Sequence, residues 1–471
     1  MKRILINETI EKVGEQVKLS GWVHQRRDHG QIIFIDLRDK SDLIQLVFTP
    51  KDKALYRAAS SLRPEWVISV EGKVNQRPKN MVNPNMPTGE IEISVEKLEI
   101  LNQAKTPPFE ITEGQNKDKK EVNEEIRLKY RYLDLRRQKM KNNLVLRHKV
   151  IKLIRDFMDK QGFVEVETPI LTKSTPEGAR DFLVPSRLHP GQFFALPQAP
   201  QQLKQLLMVA GLERYFQIAR CFRDEDLRGD RQPEFTQLDV EMSFVKQKNI
   251  LNLIEKLMIK IVKELVVFDK NLSKKLTFKP FLKLDYQEVI KKYGTDKPDL
   301  RKDPKDPHEL AFVWILNWPL FEWNSQEKRY DSCHHIFTAP QKKDLPLLDK
   351  DPLKVRSWQH DLVLNGHEIG GGSIRIHQKE IQEKIFKLVG LSKEEIEDKF
   401  GHLLRAFEYG APPHGGIASG LDRLLMILLN EESIREIIAF PKTGDGRDLM
   451  MEAPSPVSPE QLKELKIKVE K

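Results

Sequence analysis

A charged segment between two strand-like runs is the feature that most constrains the fold of this chain. Residues 222–235 read FRDEDLRGDRQPEF, with three arginines and five acidic residues. The run before it, YFQIARCF, is rich in aromatic and β-branched residues, and the run after it, TQLDVEMSF, alternates strictly between apolar and polar residues. Together they predict two strands joined by a long loop. One face of the second strand would carry Leu238, Val240, Met242 and Phe244, and the other Gln237, Asp239, Glu241 and Ser243. The loop is either a solvated hairpin tip or part of a rigid charged site.

The composition is that of a globular protein with room for two or three domains. The chain has 471 residues, of which 39% are hydrophobic, and a net charge of +9, which permits an acidic partner such as nucleic acid without establishing one. Two cysteines, Cys221 and Cys333, are too few for a disulfide framework, and no Cys/His spacing resembles a zinc site. No signal-like or membrane-spanning apolar run is present, so we expect a soluble, cytoplasmic protein without membrane contact.

Residues 1–101 contain five short β-rich runs with a helical interlude near residues 53–62, which predicts a five-stranded barrel of the OB-fold type. Phe34 lies on one of these runs, beside the basic loop HQRRDHG, and Gln45 lies on the next run. An aromatic ring, arginines and an amide are the groups that bind a single-stranded nucleic acid. The alternative is that Phe34 is a core residue and the arginines belong to a solvated loop.

Residues 102–137 are polar and charged and contain a Pro-Pro step, which predicts an interdomain linker. From residue 138 onwards, helical periodicity alternates with strand-like runs, and the adjacent hairpins and separated helices favour an α+β domain, residues 138–471, built on an antiparallel sheet flanked by helices. We expect helices near residues 201–210, 248–266, 379–389 and 421–429.

The common nucleotide-binding motifs are absent, so a nucleotide site has to be built in another way. Three segments supply the groups for one: the charged hairpin, GHEIGGGSIRI at 366–376, and GAPPHGGIASGLDRLLMIL at 410–428. Each has a simpler explanation, since the three glycines could form a bulge and the last segment could simply begin an amphipathic helix. However, Arg423 in the first turns of that helix opposes the helix dipole and calls for an anionic partner.

Together these segments resemble the three ordered motifs of a class II aminoacyl-tRNA synthetase, specifically one of the bacterial-type aspartyl-tRNA synthetases. GFVEVETPIL at 162–171 is similar to the first motif, the charged hairpin to the second, and GIASGLDRLLMILL to the third. The resemblance covers nearly the whole chain, including the barrel and the segment PEGARDFLVPSR. It implies a homodimer, with Pro169 of the first motif at the dimer interface.

The resemblance also implies that ATP is a substrate and that Mg²⁺ is a cofactor. Arg223 and Arg423 would be catalytic, with Arg223 on the α-phosphate and Arg423 on the γ-phosphate side. Asp361 and Glu368 resemble the acidic pair that binds magnesium on the phosphates; without the motifs they would be read as exposed carboxylates on neighbouring strand positions. The full set implied for ATP is Arg223, Asp224, Glu225, Gln232, Glu368, Gly420, Leu421, Asp422 and Arg423.

The implied amino-acid substrate is L-aspartate, whose ammonium needs anions and whose side-chain carboxylate needs fixed cations. By resemblance, Glu177, Gln201 and Asp239 lie near the ammonium, and Lys204 and Arg375 near the side-chain carboxylate. His334 in CHHIFTAP matches a histidine of a substrate-closing loop, and Arg223 would also contact the amino acid. The implied reaction forms aspartyl-adenylate and pyrophosphate, and then transfers the aspartyl group to the 3′ end of tRNA(Asp), with tRNA(Asn) a second candidate.

In the barrel, the positions that match those meeting the anticodon are Arg27, Phe34, Gln45 and Glu92, so the resemblance favours recognition by Phe34 over core packing. The loop that holds His29 bears on whether tRNA(Asn) is charged as well as tRNA(Asp), and a histidine there favours the relaxed type.

The chain departs from the pattern between the second and third motifs, where full-length relatives carry a large inserted domain. Only a short connector, about residues 301–309, stands there. Two other functions remain open. A tRNA-independent, asparagine-forming relative would not need the barrel, and a non-catalytic tRNA-binding protein should have lost at least one of Arg223, Glu368, Arg375 and Arg423, all of which are present.

Overall fold

The computed structural model describes residues 1–111, 122–175 and 178–470 of the chain. These residues form two compact units, the N-terminal unit (1–127 and 132–137) and the C-terminal unit (128–131 and 138–471). Most of the segment predicted as a linker therefore packs with the N-terminal unit where it is described. The domain boundaries predicted at residues 101 and 137 remain predictions.

The N-terminal unit is a closed barrel of five strands in the order β1-β2-β3-β5-β4. The strands are β1 (Gln16–His29), β2 (Ile32–Arg38), β3 (Leu43–Phe48), β4 (Val67–Gln76) and β5 (Ile91–Asn102), and α1 (Lys53–Ser61) lies between β3 and β4. Asp52 caps α1 by accepting hydrogen bonds from the backbone of Ala54 and Leu55. The predicted OB-type barrel and its helical interlude are confirmed.

Alternation along β2 determines which side chains fill the barrel. Ile33, Ile35 and Leu37 are buried in its core. Phe34 is only partly buried and is not a core residue. Since successive strand residues point to opposite faces, the aromatic ring of Phe34 is presented on the outside of the barrel.

The C-terminal unit is built on an eight-stranded sheet in the order β12-β14-β17-β18-β19-β10-β9-β6. Its six inner strands pair antiparallel, whereas β12 with β14 and β6 with β9 pair parallel at the two edges. The sheet is thus antiparallel in its interior and mixed at its margins. The predicted α+β class is confirmed.

The strands outside the barrel are β6 (Val164–Glu165), β7 (Leu183–Pro185), β8 (Phe193–Ala195), β9 (Arg214–Phe222), β10 (Glu234–Ser243), β11 (Lys275–Leu276), β12 (Leu282–Asp285), β13 (Glu309–Leu310), β14 (Phe312–Leu316), β15 (Phe321–Asn324), β16 (Arg329–Ser332), β17 (Gln359–Leu364), β18 (His367–Ile374) and β19 (His414–Gly420). The helices that follow α1 are α2 (Glu124–Lys129), α3 (Arg131–Asp134), α4 (Gln138–Lys160), α5 (Gln201–Val209), α6 (Gln247–Phe268), α7 (Tyr286–Tyr293), α8 (Lys379–Leu388), α9 (Lys393–Phe407), α10 (Leu421–Leu428) and α11 (Pro459–Leu465). Short 3₁₀ helices lie at Ile6–Thr9, Lys79–Met81, Lys342–Asp349, Pro352–Lys354 and Ile434–Glu436.

One face of this sheet is covered by apolar side chains of α4, α6 and α10. Residues such as Val150, Ile254 and Leu424 pack there against Leu238 and Val240 of β10. The opposite face of β10 is also buried, although it carries Gln237, Asp239, Glu241 and Ser243. A strand with one apolar and one polar face, both buried, has to find partners for the polar face within the protein.

Several local expectations were wrong in detail. Phe244 does not continue the apolar face of β10: it lies beyond the strand, with φ +57 and a side chain 69% exposed. In the segment GFVEVETPIL, strand structure is confined to the two residues of β6. Sequence patterns also missed α7 and α9. Among the described residues, no helix has the length and apolar character needed to cross a membrane.

Close contact with β19 explains Gly372 on β18. A Cβ added to Gly372 would lie 2.1 Å from the carbonyl oxygen of Gly416 and 2.7 Å from the Cα of Ile417 on β19. Both atoms belong to the backbone of a neighbouring strand, so they cannot move aside as a flexible side chain can. Glycine is therefore needed here because β18 and β19 approach closely.

We expect Gly372→Ala to lower the free energy of unfolding by about 1–3 kcal/mol, because overpacking of this size forces backbone shifts. Urea denaturation followed by circular dichroism measures the change. Gly444→Ala is the matched control, since an added Cβ there meets nothing within 4 Å and no positive φ is required. Equal stability of the two variants would contradict this account of β18.

Candidate functional site

A cavity of about 390 Å³ opens over the polar face of the large sheet. Side chains from β10, β17, β18 and β19, from the 223–235 loop and from the start of α10 line it. Of the residues singled out from the sequence, those that line the cavity are Gln201, Arg223, Glu225, Gln232, Asp239, His334, Glu368, Arg375, Gly420, Asp422 and Arg423. The charged hairpin is thus part of a site and not a solvated tip.

At one end of the cavity, Asp239 and Arg375 line the wall, and Lys204 and Glu241 are buried directly behind them. The Lys204 Nζ lies 2.9 Å from Asp239 Oδ1 and 3.4 Å from Glu241 Oε2. Arg375 donates from Nε and Nη2 to the two oxygens of Glu241, at 3.0 and 3.2 Å, and from Nη1 to the Ser373 hydroxyl at 2.8 Å. All four charged side chains are at most 4% exposed. We call them the buried ion cluster.

Glu241 organises this cluster, because it contacts both cations. Burial opposes its ionisation, but Arg375 and Lys204 outweigh burial and lower the pKa of Glu241 below its usual range. Sequence reasoning placed Glu241 on the polar face of β10 but did not assign it to the site. Its position two residues from Asp239 on that face was the signal that could have found it.

The buried ion cluster leaves one acceptor without a partner. Asp239 Oδ2 is buried and accepts no hydrogen bond from a described residue. A buried carboxylate oxygen is costly when left unpaired, so its place beside the cavity indicates that a donor of the ligand binds there. Three N–H groups of Arg375 donate to described residues, and among these residues no acceptor is recorded for its other two donors, which a ligand can use.

At the other end of the cavity, two arginines present unused donors. The Nε of Arg223 and the Nε of Arg423 are both buried without a hydrogen-bond partner among the described residues. The Arg223 guanidinium lies over the Phe235 ring, 5.1 Å from its centroid. Arg423 is fixed by the carbonyl of Glu368 at 2.6 Å and by Asp230 at 3.0 Å. Two held cations with free N–H groups suit a polyanionic ligand such as a phosphate chain.

Asp361 and Glu368 lie on the adjacent strands β17 and β18 and flank Gly371. A Cβ added to Gly371 would lie 3.0 Å from Asp361 Oδ1 and 3.3 Å from Glu368 Oε1. Burial and the nearby Asp361 charge raise the pKa of Glu368. The described residues contain no cluster of three or more His, Cys, Asp or Glu that could hold a metal. Two carboxylates fit a Mg²⁺ that takes its other oxygens from a phosphate ligand and water.

His334 lines the cavity beside Asp361. Its Nε2 lies 2.9 Å from Asp361 Oδ2, and its ring meets the Trp318 ring edge-on at 4.3 Å. Burial would lower the pKa of His334, but Asp361 raises it above the usual value. The Nδ1 of His334 is buried without a described partner, so the ring has one nitrogen available to a ligand.

Other predicted residues serve the framework of the site. Gln232 exchanges hydrogen bonds with the backbone of Lys442, at 3.0 and 2.7 Å. Asp422 accepts from the backbone of Thr236 at 2.7 Å and from the Arg147 guanidinium. Leu421 is fully buried in the apolar core. Asp224 is exposed.

Gln201 donates to Gln205 at 3.0 Å, deep in the wall of the cavity. Asp361 does not line the cavity directly, although it borders it through Gly371 and His334. Glu177 lies outside the described residues, so its predicted role stays a prediction. Pro169 is exposed, near the two-residue strand β6.

A second group of predicted residues meets on the outside of the barrel. Arg27 Nη2 donates to Asp36 at 2.7 Å and to Gln45 at 3.3 Å, and Gln45 donates to Glu92 at 2.9 Å. Phe34 pairs with Arg27 across β1 and β2. Four residues from four strands therefore form one continuous polar surface with an aromatic ring beside it.

His29 ends β1 and is exposed, and its ring meets the Phe34 ring edge-on at 6.0 Å. Sequence reasoning missed Arg77, which is 6% exposed, donates to the carbonyl of Ile91 at 2.9 Å, and has a buried Nη2 without a described partner. Its Nε lies 3.9 Å from Glu92. An unpaired buried guanidinium nitrogen beside this surface adds a donor for an anionic or carbonyl-bearing ligand.

Comparison with protein-family models assigns both units. The model for class II tRNA synthetases (D, K and N) matches residues 123–444, and the model for the OB-fold nucleic acid binding domain matches residues 17–101. Solved structures of the same fold include an asparaginyl-tRNA synthetase from Pyrococcus horikoshii complexed with asparaginyl-adenylate, with a TM-score of 0.75, 22% identity, and coverage of 94% of this chain and 98% of that one. An aspartyl tRNA synthetase from Entamoeba histolytica has a TM-score of 0.74 and 22% identity, and covers 94% and 91% of the two chains.

Curated relatives are much more similar in sequence. The aspartate–tRNA(Asp/Asn) ligase of Rubrobacter xylanophilus is 45% identical over 97% of this chain and 94% of its own length. The enzyme of that name from Moorella thermoacetica is 45% identical over 98% and 95%. The first alignment runs over 578 positions, whereas this chain has 471 residues, so the relative carries sequence without a counterpart here. With the family model covering most of the C-terminal unit, the chain belongs to the class II tRNA synthetases, the aminoacyl-tRNA ligases of the aspartate, lysine and asparagine group.

Proposed function

We propose that the protein is an aspartate–tRNA ligase that uses L-aspartate and ATP and charges both tRNA(Asp) and tRNA(Asn). The observation that carries the proposal is the buried ion cluster, in which fixed cations stand beside an unpaired carboxylate oxygen. This arrangement complements an amino acid with an acidic side chain. The names of the relatives at 45% identity support the same substrate and the wider tRNA range.

In the proposed complex, the aspartate ammonium donates to Asp239 Oδ2, with Gln201 nearby. The side-chain carboxylate binds the remaining N–H groups of Arg375 and the ammonium of Lys204. Asparagine lacks the second negative charge and would leave these buried cations with a weaker partner. Selectivity for aspartate then follows from the stronger, charge-assisted hydrogen bonds that a carboxylate accepts from these cations.

The proposed chemistry has two steps and needs no protein nucleophile. An oxygen of the aspartate α-carboxylate forms a bond to the α-phosphorus of ATP, and the bond from that phosphorus to the bridging oxygen breaks, which releases pyrophosphate. A ribose hydroxyl at the 3′ end of the tRNA then attacks the acyl carbon and AMP leaves. Arg223 would stabilise charge at the α-phosphate and Arg423 charge further along the chain, while the cavity walls fix the attack geometry.

Asp361 and Glu368 are the residues that would hold Mg²⁺, together with phosphate oxygens. When bound, the ion would neutralise phosphate charge. Arg423 donates to the carbonyl of Glu368, so the residue that would bind the metal is tied to a cation that would bind phosphate. This link supports the proposal that the metal and Arg423 bind the same phosphate chain.

On the barrel, we propose that Arg27, Phe34, Gln45 and Glu92 contact the anticodon, with Arg77 beside them and His29 at the edge of the surface. A ring outside the core and a polar network with donors and acceptors support this role.

We also propose a homodimer with Pro169 at its interface. Exposed apolar side chains nearby support it, including Ile170 and Leu171, which are 48% and 52% exposed. The free cysteines Cys221 and Cys333 suit a cytoplasmic setting.

The proposal is tested by charging purified tRNA(Asp) and tRNA(Asn) transcripts with labelled aspartate and ATP. We expect both transcripts to be aspartylated, in agreement with the relaxed range of the named relatives. Charging of tRNA(Asp) alone would contradict the wider range. Charging of neither, with aspartate-dependent pyrophosphate exchange intact, would instead favour a tRNA-independent, asparagine-forming enzyme.

Substitution of Glu241 tests the amino-acid end of the cavity. We expect Glu241→Gln to raise the KM for aspartate by about tenfold or more, because Arg375 loses a charged partner that fixes its orientation. The KM for ATP should change little. Pyrophosphate exchange measures both constants, and thermal unfolding checks that the variant is folded. An equal rise in both constants would contradict a specific role in positioning Arg375.

Substitution of Phe34 tests the barrel surface. Loss of one stacking ring costs about 1–3 kcal/mol, so Phe34→Ala should raise the KM for tRNA by about tenfold while aspartate-dependent pyrophosphate exchange stays unchanged. Phe34→Tyr keeps the ring and serves as the matched control, which should behave like the wild type. Loss of exchange in the alanine variant would show that the ring supports the fold instead.

A further inference from the structure

Lys297 brings a third cation to the end of the cavity that holds Arg223 and Arg423, which we call the phosphate end. Its Nζ lies 3.5 Å from Glu368 Oε2 and 4.0 Å from Asp296 Oδ2, and it lines the same cavity as Arg223 and Arg423. It comes from the segment between α7 and β13, which supplied no residue to the site predicted from the sequence. The side chain is 40% exposed, so its ammonium is held loosely compared with the buried ion cluster.

The backbone that carries Lys297 is fixed more firmly than its side chain. The Lys297 N–H donates to Thr295 Oγ1 at 3.2 Å, and the next residue, Pro298, is buried. Arg301 holds the Asp299 carboxylate through Nε at 3.0 Å and Nη2 at 2.6 Å. A Cβ added to Gly366 would lie 3.6 Å from Asp299 and 3.9 Å from the Lys297 carbonyl oxygen. The loop therefore packs on the β17–β18 turn, two residues before Glu368.

In the protein without ligand, Lys297 compensates the charge of a carboxylate that lies beside another carboxylate. Glu368, whose side chain is 35% exposed, flanks Gly371 together with Asp361, and these two like charges repel each other. Asp361 and Glu368 would hold magnesium, which would supply the positive charge that Lys297 supplies in its absence. The long flexible stem of a lysine lets its ammonium move to a new anion without movement of the backbone.

We propose that Lys297 is a phosphate-binding residue, which pairs with Glu368 in the free protein and moves to the β- and γ-phosphate oxygens when ATP and magnesium bind. The inference rests on the proposed use of ATP at this site. In the first reaction step, the bond between the α-phosphorus and the bridging oxygen breaks, and negative charge accumulates on the departing pyrophosphate. An ammonium at this position stabilises that charge together with Arg423.

The test is calorimetric titration of the full chain with ATP and magnesium, in the absence of amino acid. We expect Lys297→Met to weaken ATP binding about tenfold, because methionine keeps the apolar stem and removes the charge. Lys297→Arg should restore most of the affinity. The matched control is Lys302→Met, which removes an exposed lysine of the same loop that does not line the cavity.

Pyrophosphate exchange adds a readout that a merely structural role would not move. In Lys297→Met, the KM values for ATP and pyrophosphate should rise while the KM for aspartate stays within about twofold of the wild-type value. Unchanged ATP affinity in Lys297→Met, or an equal loss in Lys302→Met, would overturn the proposal. If the wild type binds ATP but shows no aspartate-dependent exchange, the proposed amino-acid substrate fails, and the ATP titrations still decide the role of Lys297.

Discussion

Two cations and two carboxylates lie together between α5, β10 and β18, almost wholly removed from solvent, and each is stable there only because of the others. Lys204 and Arg375 would be very costly to bury alone, and so would Asp239 and Glu241. The cluster fixes the register between the polar face of β10 and the end of β18, because Arg375 has to meet Glu241 across β19, which lies between these strands. A Cβ at Gly416 of β19 would lie 2.3 Å from Glu241 Oε2, so glycine on the intervening strand makes this contact possible.

The two ends of the cavity differ in how tightly their charges are held. At the cluster, every cation has a carboxylate partner inside the protein, and the remaining donors and one acceptor point to a small ligand of fixed shape. At the other end, Arg223, Arg423 and Lys297 are all partly exposed. Arg223 lies over an aromatic ring, Arg423 is held by a carbonyl and a carboxylate, and Lys297 lies within 4.0 Å of two carboxylates. A rigid end suits selection among amino acids that differ by one charge. An adaptable end suits a phosphate chain whose charge distribution changes as a bond breaks.

The sequence was informative wherever a periodic pattern and the local chemistry agreed. Alternation in β10 predicted the polar face that bears Asp239, and the order of the three motifs predicted the class of enzyme. For Phe34 the residues alone left a core and a surface position open, and only the resemblance favoured the surface. The sequence could not predict that Asp239 and Glu241 would be completely buried, because alternation does not distinguish a solvated polar face from one that is covered. Nor could it find Lys297 or Arg77. Each reaches its surface through tertiary packing of a segment whose composition is that of an ordinary charged loop. The same limit explains Phe244, where the apolar pattern continues beyond the point at which φ turns positive and the strand ends.

The segment that follows Lys297 is an ordered connection whose polar groups are paired. The short parallel strands β11 and β13 pair with each other, and Lys275 bridges to Asp306 at 2.7 Å. Burial lowers the pKa of Lys274 to about 8, and its ammonium donates to the carbonyl of Pro307 and to Asn430, each at 2.6 Å. The Glu309 carboxylate accepts hydrogen bonds from the backbone N–H groups of Lys302 and Asp303. These polar groups are thus paired with one another and with neighbouring segments. Because the loop closes on itself, it holds the backbone of Lys297 against the β17–β18 turn, and a short connection is sufficient to complete the phosphate end of the cavity.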